Sequence, residues 1–226
     1  MRPASLRRAR WLAHADGVGA GEAMRDWLTT PGSLTARLIA HSRQFRVQKL
    51  RQAPNVCLAD EAAAIGLSRV RRVWEREVLL RCDGAPVVYG HTVVPMSATA
   101  QDWPLFSALG ERSLGTTLFY DPRVVRGQLE FARIRPGHPL LARVHAALSR
   151  EGLGVRLDSV HYARRCVYRR RQGLLLVTEV FLPAVLDLAA KPKEARETVA
   201  SGSDGDREAQ LYESTASIAD RQRDAQ

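Results

Sequence analysis

The run from Val70 to Pro95 constrains this chain more than any other. Strand-forming residues fill Val70–Cys82, Asp83-Gly84-Ala85-Pro86 interrupts them, and Val87–Val94 resumes until Pro95. Asp-Gly between two such runs predicts an antiparallel β-hairpin. A second hairpin is predicted further on, pairing Val160–Tyr168 with Leu174–Leu182 across Arg171-Gln172-Gly173. Helical segments lie between the strands without a regular strand–helix–strand alternation. This predicts an α+β fold, a single antiparallel β-sheet with helices covering one face.

Each hairpin carries a charge where an apolar residue belongs. Read with period two, one face of the first strand is Trp74, Arg76, Val78, Leu80 and Cys82. The other face is Val73, Glu75, Glu77, Leu79 and Arg81, the wetter of the two. In the last strand Glu179 shares a face with Leu175, Val177 and Phe181. A buried arginine and a buried carboxylate are each costly unless paired or offered to a ligand. Arg76 and Glu179 therefore either line an interior site for a small anion or neutralise each other as a structural ion pair.

Around these hairpins the pattern is simpler. Glu22–Leu28 reads as a short helix and Thr29-Thr30-Pro31-Gly32 as a turn. Ser33 can cap a second helix, Leu34–His41. The two helices can form a flap over the sheet. Phe45–Leu50 reads as the first strand and Val125–Ile134 as another. Ala59–Ile65, Trp103–Leu109 and Leu140–Leu148 read as helical. Residues 1–20 are expected to be loosely ordered, 21–188 to form the domain, and 189–226 to be a disordered tail too poor in apolar residues to offset its ordering entropy.

Charge and cysteines narrow the function classes. The formal charge is +10, and the part before Lys191 carries about +12 because the tail is acidic. Such a charge attracts nucleic acid, a membrane surface or a small polyanion. Arg169-Arg170-Arg171 with Tyr162 and Tyr168 partly fits nucleic-acid binding, but a solvated hairpin tip is the favoured reading. Cys57, Cys82 and Cys166 are odd in number and widely spaced, which argues against a disulfide framework or a zinc ribbon. No stretch is long and apolar enough to span a bilayer, and no export signal follows the N-terminal arginines. A cytoplasmic protein is expected. Phosphate-binding glycine loops, a Gly-x-Ser-x-Gly elbow and His-Glu-x-x-His are absent. The six histidines show no metal spacing. His91 either lines a pocket or is structural.

Several blocks in order resemble the bacterial chorismate lyase family. They are Asp26-Trp27-Leu28 with Ser33-Leu34-Thr35; Trp74 to Leu80 with Asp83-Gly84-Ala85-Pro86 and Gly90 to Pro95; Leu114-Gly115 with Leu118-Phe119; and Leu174 to Pro183. The resemblance implies a six-stranded antiparallel sheet with helical flaps over a buried site. It implies conversion of chorismate to 4-hydroxybenzoate and pyruvate, the first committed step towards ubiquinone, with no metal or organic cofactor. By motif position it implies Arg76 and Glu179 as catalytic residues. Leu34, Arg76, Leu114 and Glu179 become the substrate contacts, Leu34 and Leu114 largely through backbone groups. The family commonly has Met where this chain has Leu34, and a related member has Arg at the position of His91.

Three other readings remain at this point. A related fold serves as the sensing module of transcription regulators, but about 25 residues precede the first matched block, too few for a DNA-binding domain. A basic nucleic-acid-binding protein and an enzyme making another hydroxybenzoate are the others. The partner expected is chorismate, with no nucleic acid and no membrane insertion, and a monomer is the default.

Overall fold

A computed structural model describes residues 8–99, 101–106, 108–115, 118, 121–154 and 160–189. Six strands build the fold: β1 (Phe45–Val56), β2 (Arg72–Cys82), β3 (Ala85–Pro95), β4 (Val124–Ile134), β5 (His161–Arg170) and β6 (Gly173–Phe181). They form one antiparallel sheet in the order β1-β2-β3-β6-β5-β4. Both predicted hairpins are present. Asp83 and Gly84 have φ of 50° and 85°, the left-handed pair that a tight hairpin turn requires. β1 continues past Leu50 to Val56 because it is an edge strand, where Pro54 removes no ladder bond.

Helices α1 (Glu22–Leu28) and α2 (Leu34–Ala40) lie over one face. Trp27, Leu28, Leu34 and Leu38 pack there with Val47, Val78, Leu80 and Phe181. Ser33 caps α2 by accepting from the Ala36 amide at 3.2 Å. Trp103, Phe106, Leu109 and Leu118 cover the same face beside Cys166, Tyr168 and Leu175. The opposite face is covered as well. Helix α3 (Pro139–Arg150) places Leu140, Leu141, Val144, Ala147 and Leu148 against Leu79, Tyr89, Ala163 and Val180. Twelve residues are marginal as an isolated helix, so this apolar face is what holds α3. A short α4 (Val185–Ala189) follows β6.

Several expectations change. The helices are not confined to one face, since α3 lies on the other. Consequently this is not the wet face: Glu75 is 0% exposed and Glu77 only partly exposed, both beside His91 and Arg143. Ala59–Ile65 forms turns instead of a helix, pinned where the Leu58 amide donates to Glu61 Oε2 at 2.7 Å. Among the described residues of Trp103–Leu109 only Pro104–Phe106 is helical, as a single 3-10 turn. Over its described part, 8–20, the segment expected to be loose is tied down. Leu12 exchanges two 2.8 Å backbone bonds with Phe131, and Ala15, Val18 and Ala20 are buried. The expected tail lies outside the described residues from 190 onward.

Candidate active site

Sheet register places the charges. Val78, Gly90, Glu179 and Arg164 stand side by side across β2, β3, β6 and β5. Arg76, Thr92 and Val177 form the next row on the same face. Strand rise and spacing put the Arg76 and Glu179 backbones about 12 Å apart. Both side chains line the same cavity. Gly90 keeps the floor open beside Glu179, and a Cβ there would meet Val78 Cγ2 at 2.9 Å.

These residues line a cavity of about 580 Å³, part of it open to solvent, together with residues 32–35, 113–115 and 118. All four anticipated site residues, Leu34, Arg76, Leu114 and Glu179, line it. His91 does not, because alternation along β3 turns it to the other face.

Arg76 is 2% exposed. Its Nη2 donates to the carbonyls of Gly110 at 3.2 Å and Arg112 at 2.9 Å, while its buried Nε has no partner among the described residues. Burial without a nearby carboxylate pushes its pKa down to about 10. The alternative of an Arg76–Glu179 ion pair is thus overturned. A desolvated guanidinium with an unsatisfied N–H is a receptor for an anion.

Glu179 has a different partner. Arg164, 2% exposed, donates from Nε to Glu179 Oε2 at 2.5 Å. Its Nη1 donates to the carbonyls of Leu28 and Thr30, each at 3.2 Å. Arg164 was not anticipated as a site residue. The signal was present: it shares a strand face with Cys166 and Tyr168 and stands directly opposite Glu179. Tyr168 also lines the cavity, and burial raises the pKa of its phenol and keeps it neutral.

Two flaps close the site. Thr35 Oγ1 and Ser113 Oγ share a hydrogen bond of 2.8 Å across them. Gly115 permits this approach, since a Cβ there would meet Thr35 Oγ1 at 3.1 Å. Each flap is also held by an arginine of the cavity, the first through Leu28 and Thr30, the second through Gly110 and Arg112.

A second charged cluster lies on the far face. His91 Nε2 is 2.8 Å from Glu61 Oε1, and Arg143 Nη1 donates to Glu75 Oε2 and, at 3.3 Å, to Glu77 Oε1. Burial opposes a charged His91, but the Glu61 carboxylate, with Glu75 behind it, outweighs burial and raises its pKa. Among the described residues Glu75, Glu77 and His91 have the donor types and the closeness, within 4.8 Å, that a divalent cation needs. Arg143 already supplies that positive charge to both carboxylates.

The fold and its cavity thus define an α+β protein with a cavity beneath two flaps, lined by Arg76, Arg164 and Glu179. The chorismate lyase family model matches residues 5–191. A protein of Cupriavidus metallidurans named "Probable chorismate pyruvate-lyase" is 48% identical over 187 residues, 81% of this chain and 84% of that protein. One of the same name from Ralstonia nicotianae is 49% identical over 167 residues, 73% and 84% of the two chains. Among solved structures, PhnF from Mycobacterium smegmatis matches 69% of this chain and 65% of its own, at 18% identity and a TM-score of 0.47. The chain belongs to the chorismate lyase family, and with it to the carbon–oxygen lyases. Among the described residues no helix is long and apolar enough to cross a membrane.

Proposed function

We propose that the chain eliminates pyruvate from chorismate to give 4-hydroxybenzoate, which feeds ubiquinone synthesis. One observation carries this reading beyond the family match: a desolvated, unpaired Arg76 and an arginine-bound Glu179 face one ring-sized cavity from different strands. Chorismate offers a carboxylate at one end of its ring and a hydroxyl at the other. Arg76 takes the ring carboxylate through charge-assisted hydrogen bonds that burial strengthens. Glu179 accepts a hydrogen bond from the ring hydroxyl, beside the ring hydrogen that must leave.

The ether bond to the enolpyruvyl group breaks, the ring hydrogen leaves as a proton, and the expelled enolpyruvate takes up a proton to become pyruvate. Aromatisation drives the step, so the protein's task is to orient the ring and exclude water. Leu34 and Leu114, on the two flaps, contact the ring and its substituents from above. The product keeps the carboxylate and hydroxyl that bind, so its release is expected to be slow. The three buried free cysteines support a reducing, cytoplasmic setting. The chain is proposed to act as a monomer without nucleic acid.

The test is incubation of purified protein with chorismate alone, followed by chromatographic identification of the aromatic product and a pyruvate assay. Equal amounts of 4-hydroxybenzoate and pyruvate are expected. Folded protein that binds 4-hydroxybenzoate without turning chorismate over would make the cavity a sensor instead.

A further inference from the structure

Arg164 is the buried cation that the proposed reaction does not use. Its guanidinium makes two kinds of contact at once. Nε donates to Glu179 Oε2, and Nη1 clamps the carbonyls of Leu28 and Thr30. Those carbonyls belong to the last turn of α1 and to the residues that lead into the first flap. The flap's own tip, Ser33 to Thr35, lines the cavity and meets the second flap through the Thr35–Ser113 bond. A chain of direct contacts therefore runs from the Glu179 carboxylate, through one arginine, to the base of a flap.

We propose that Arg164 is the positioning residue of this site. It holds the Glu179 carboxylate in place, and it couples that carboxylate to the first flap. The proposal rests on the lyase reading only for its kinetic half. The ion pair supports the first role. Glu179 lies in a cavity walled by Val78, Val177 and Tyr168, and the charge-assisted bond from Arg164 Nε fixes the direction its carboxylate faces there. The second role follows from donor geometry. The Leu28 and Thr30 carbonyls lie where α1 ends and leaves acceptors without helical donors, and Arg164 supplies the donors. Loss of that clamp frees the flap to open.

Two substitutions separate the roles. Arg164→Gln removes the charge; Arg164→Lys keeps a charge but not the planar fork that reaches Glu179 and two carbonyls together. Two readouts are compared with the parent: kcat and KM for chorismate, and amide hydrogen exchange across residues 28–35 in ligand-free protein. Thermal melts establish that each variant is folded. For Arg164→Gln we expect kcat to fall on the order of a hundredfold with KM changed much less, and flap amides to exchange faster. For Arg164→Lys kcat should recover in part while flap exchange stays fast. A parent that does not turn over chorismate would overturn the lyase reading, and the exchange measurement would still test the clamp. A folded Arg164→Gln with the parent's kcat and the parent's flap exchange would overturn the proposal. So would a kcat loss no larger than the loss of folded protein.

Discussion

Replacing Arg76 by Met should weaken ligand binding without weakening the fold. In the ligand-free protein Arg76 is costly: it is 2% exposed and, among the described residues, has no carboxylate partner and leaves Nε without an acceptor. Among those residues its hydrogen bonds run through Nη2 to two flap carbonyls. Met fills a similar volume with no charge to desolvate, and exchanges of that kind are often neutral or stabilising. Binding is another matter. Removing one partner from a buried, hydrogen-bonded charge pair costs about 2–5 kcal/mol. A middle value of about 3 kcal/mol corresponds to roughly 150-fold weaker binding. Calorimetric titration with 4-hydroxybenzoate measures the affinity, and thermal unfolding of the same samples measures the fold. The expected pair of results is a large loss of affinity with an unchanged or slightly raised Tm. A Met variant that binds like the parent would remove Arg76 from the site. A Tm that collapses would make Arg76 a structural residue and refute the inference from its missing partner.

Thr35→Val removes the Thr35–Ser113 hydrogen bond, which should make product release about fivefold faster for a loss of about 1 kcal/mol; an unchanged rate in stopped-flow displacement would show that this bond does not hold the flaps. Arg143→Met strips Glu75 and Glu77 of their shared cation and should cost about 3 kcal/mol, lowering Tm by roughly 6–12 °C; a shift under about 2 °C would refute the idea that the far-face charges depend on it. The same cluster sets a pH window. His91 has a raised pKa, so its contribution is complete below about pH 6.5 and is lost as pH rises through the higher folded value. Glu75, where burial is outweighed by His91, Asn55 and Arg143, has a lowered pKa, so its contribution is complete above the ordinary 4.5 and lost as pH falls below it. Stability should therefore be highest between about pH 4.5 and 6.5, and His91→Gln should flatten the alkaline side.

The sheet was legible in the sequence because its signals are local. Asp83-Gly84 announces a turn that only left-handed residues can make, and strict alternation tells which side chains share a face. That alternation is what brought Arg76 and Glu179 to one cavity, with Leu34 and Leu114 above them. Arg164 was hidden by its company. It sits among Arg165, Arg169, Arg170 and Arg171, where a basic run reads as solvated. Within that run Arg164 faces the cavity, and Arg170 is bound to Asp121 at 2.7 Å. The tip itself is solvated as expected, with Arg169 and Arg171 exposed, while the strand behind it turns Arg164 inward. Glu75 and Glu77 misled for a different reason. Alternation separates two faces of a strand, but it does not say which of them meets water. The far face is closed by α3, whose Arg143 is distant in the chain, and no local pattern announces that pairing.

Burial alone would not have distinguished the two charged groups this fold encloses. Glu75 and His91 are as deeply buried as Arg76 and Arg164, and the far-face cluster holds more charge. What separates them is closure. In the far-face cluster each charge meets an opposite one within 4.0 Å: Glu61 meets His91, and Glu75 and Glu77 meet Arg143. On the cavity face Arg164 and Glu179 satisfy each other, and Arg76 has no opposite charge beside it among the described residues. The desolvation cost of a buried guanidinium persists until an anion arrives, so the cavity is a receptor in a way that the cluster behind it is not. In the proposed reaction the ring carboxylate of chorismate would complete the charge balance that the sheet leaves open.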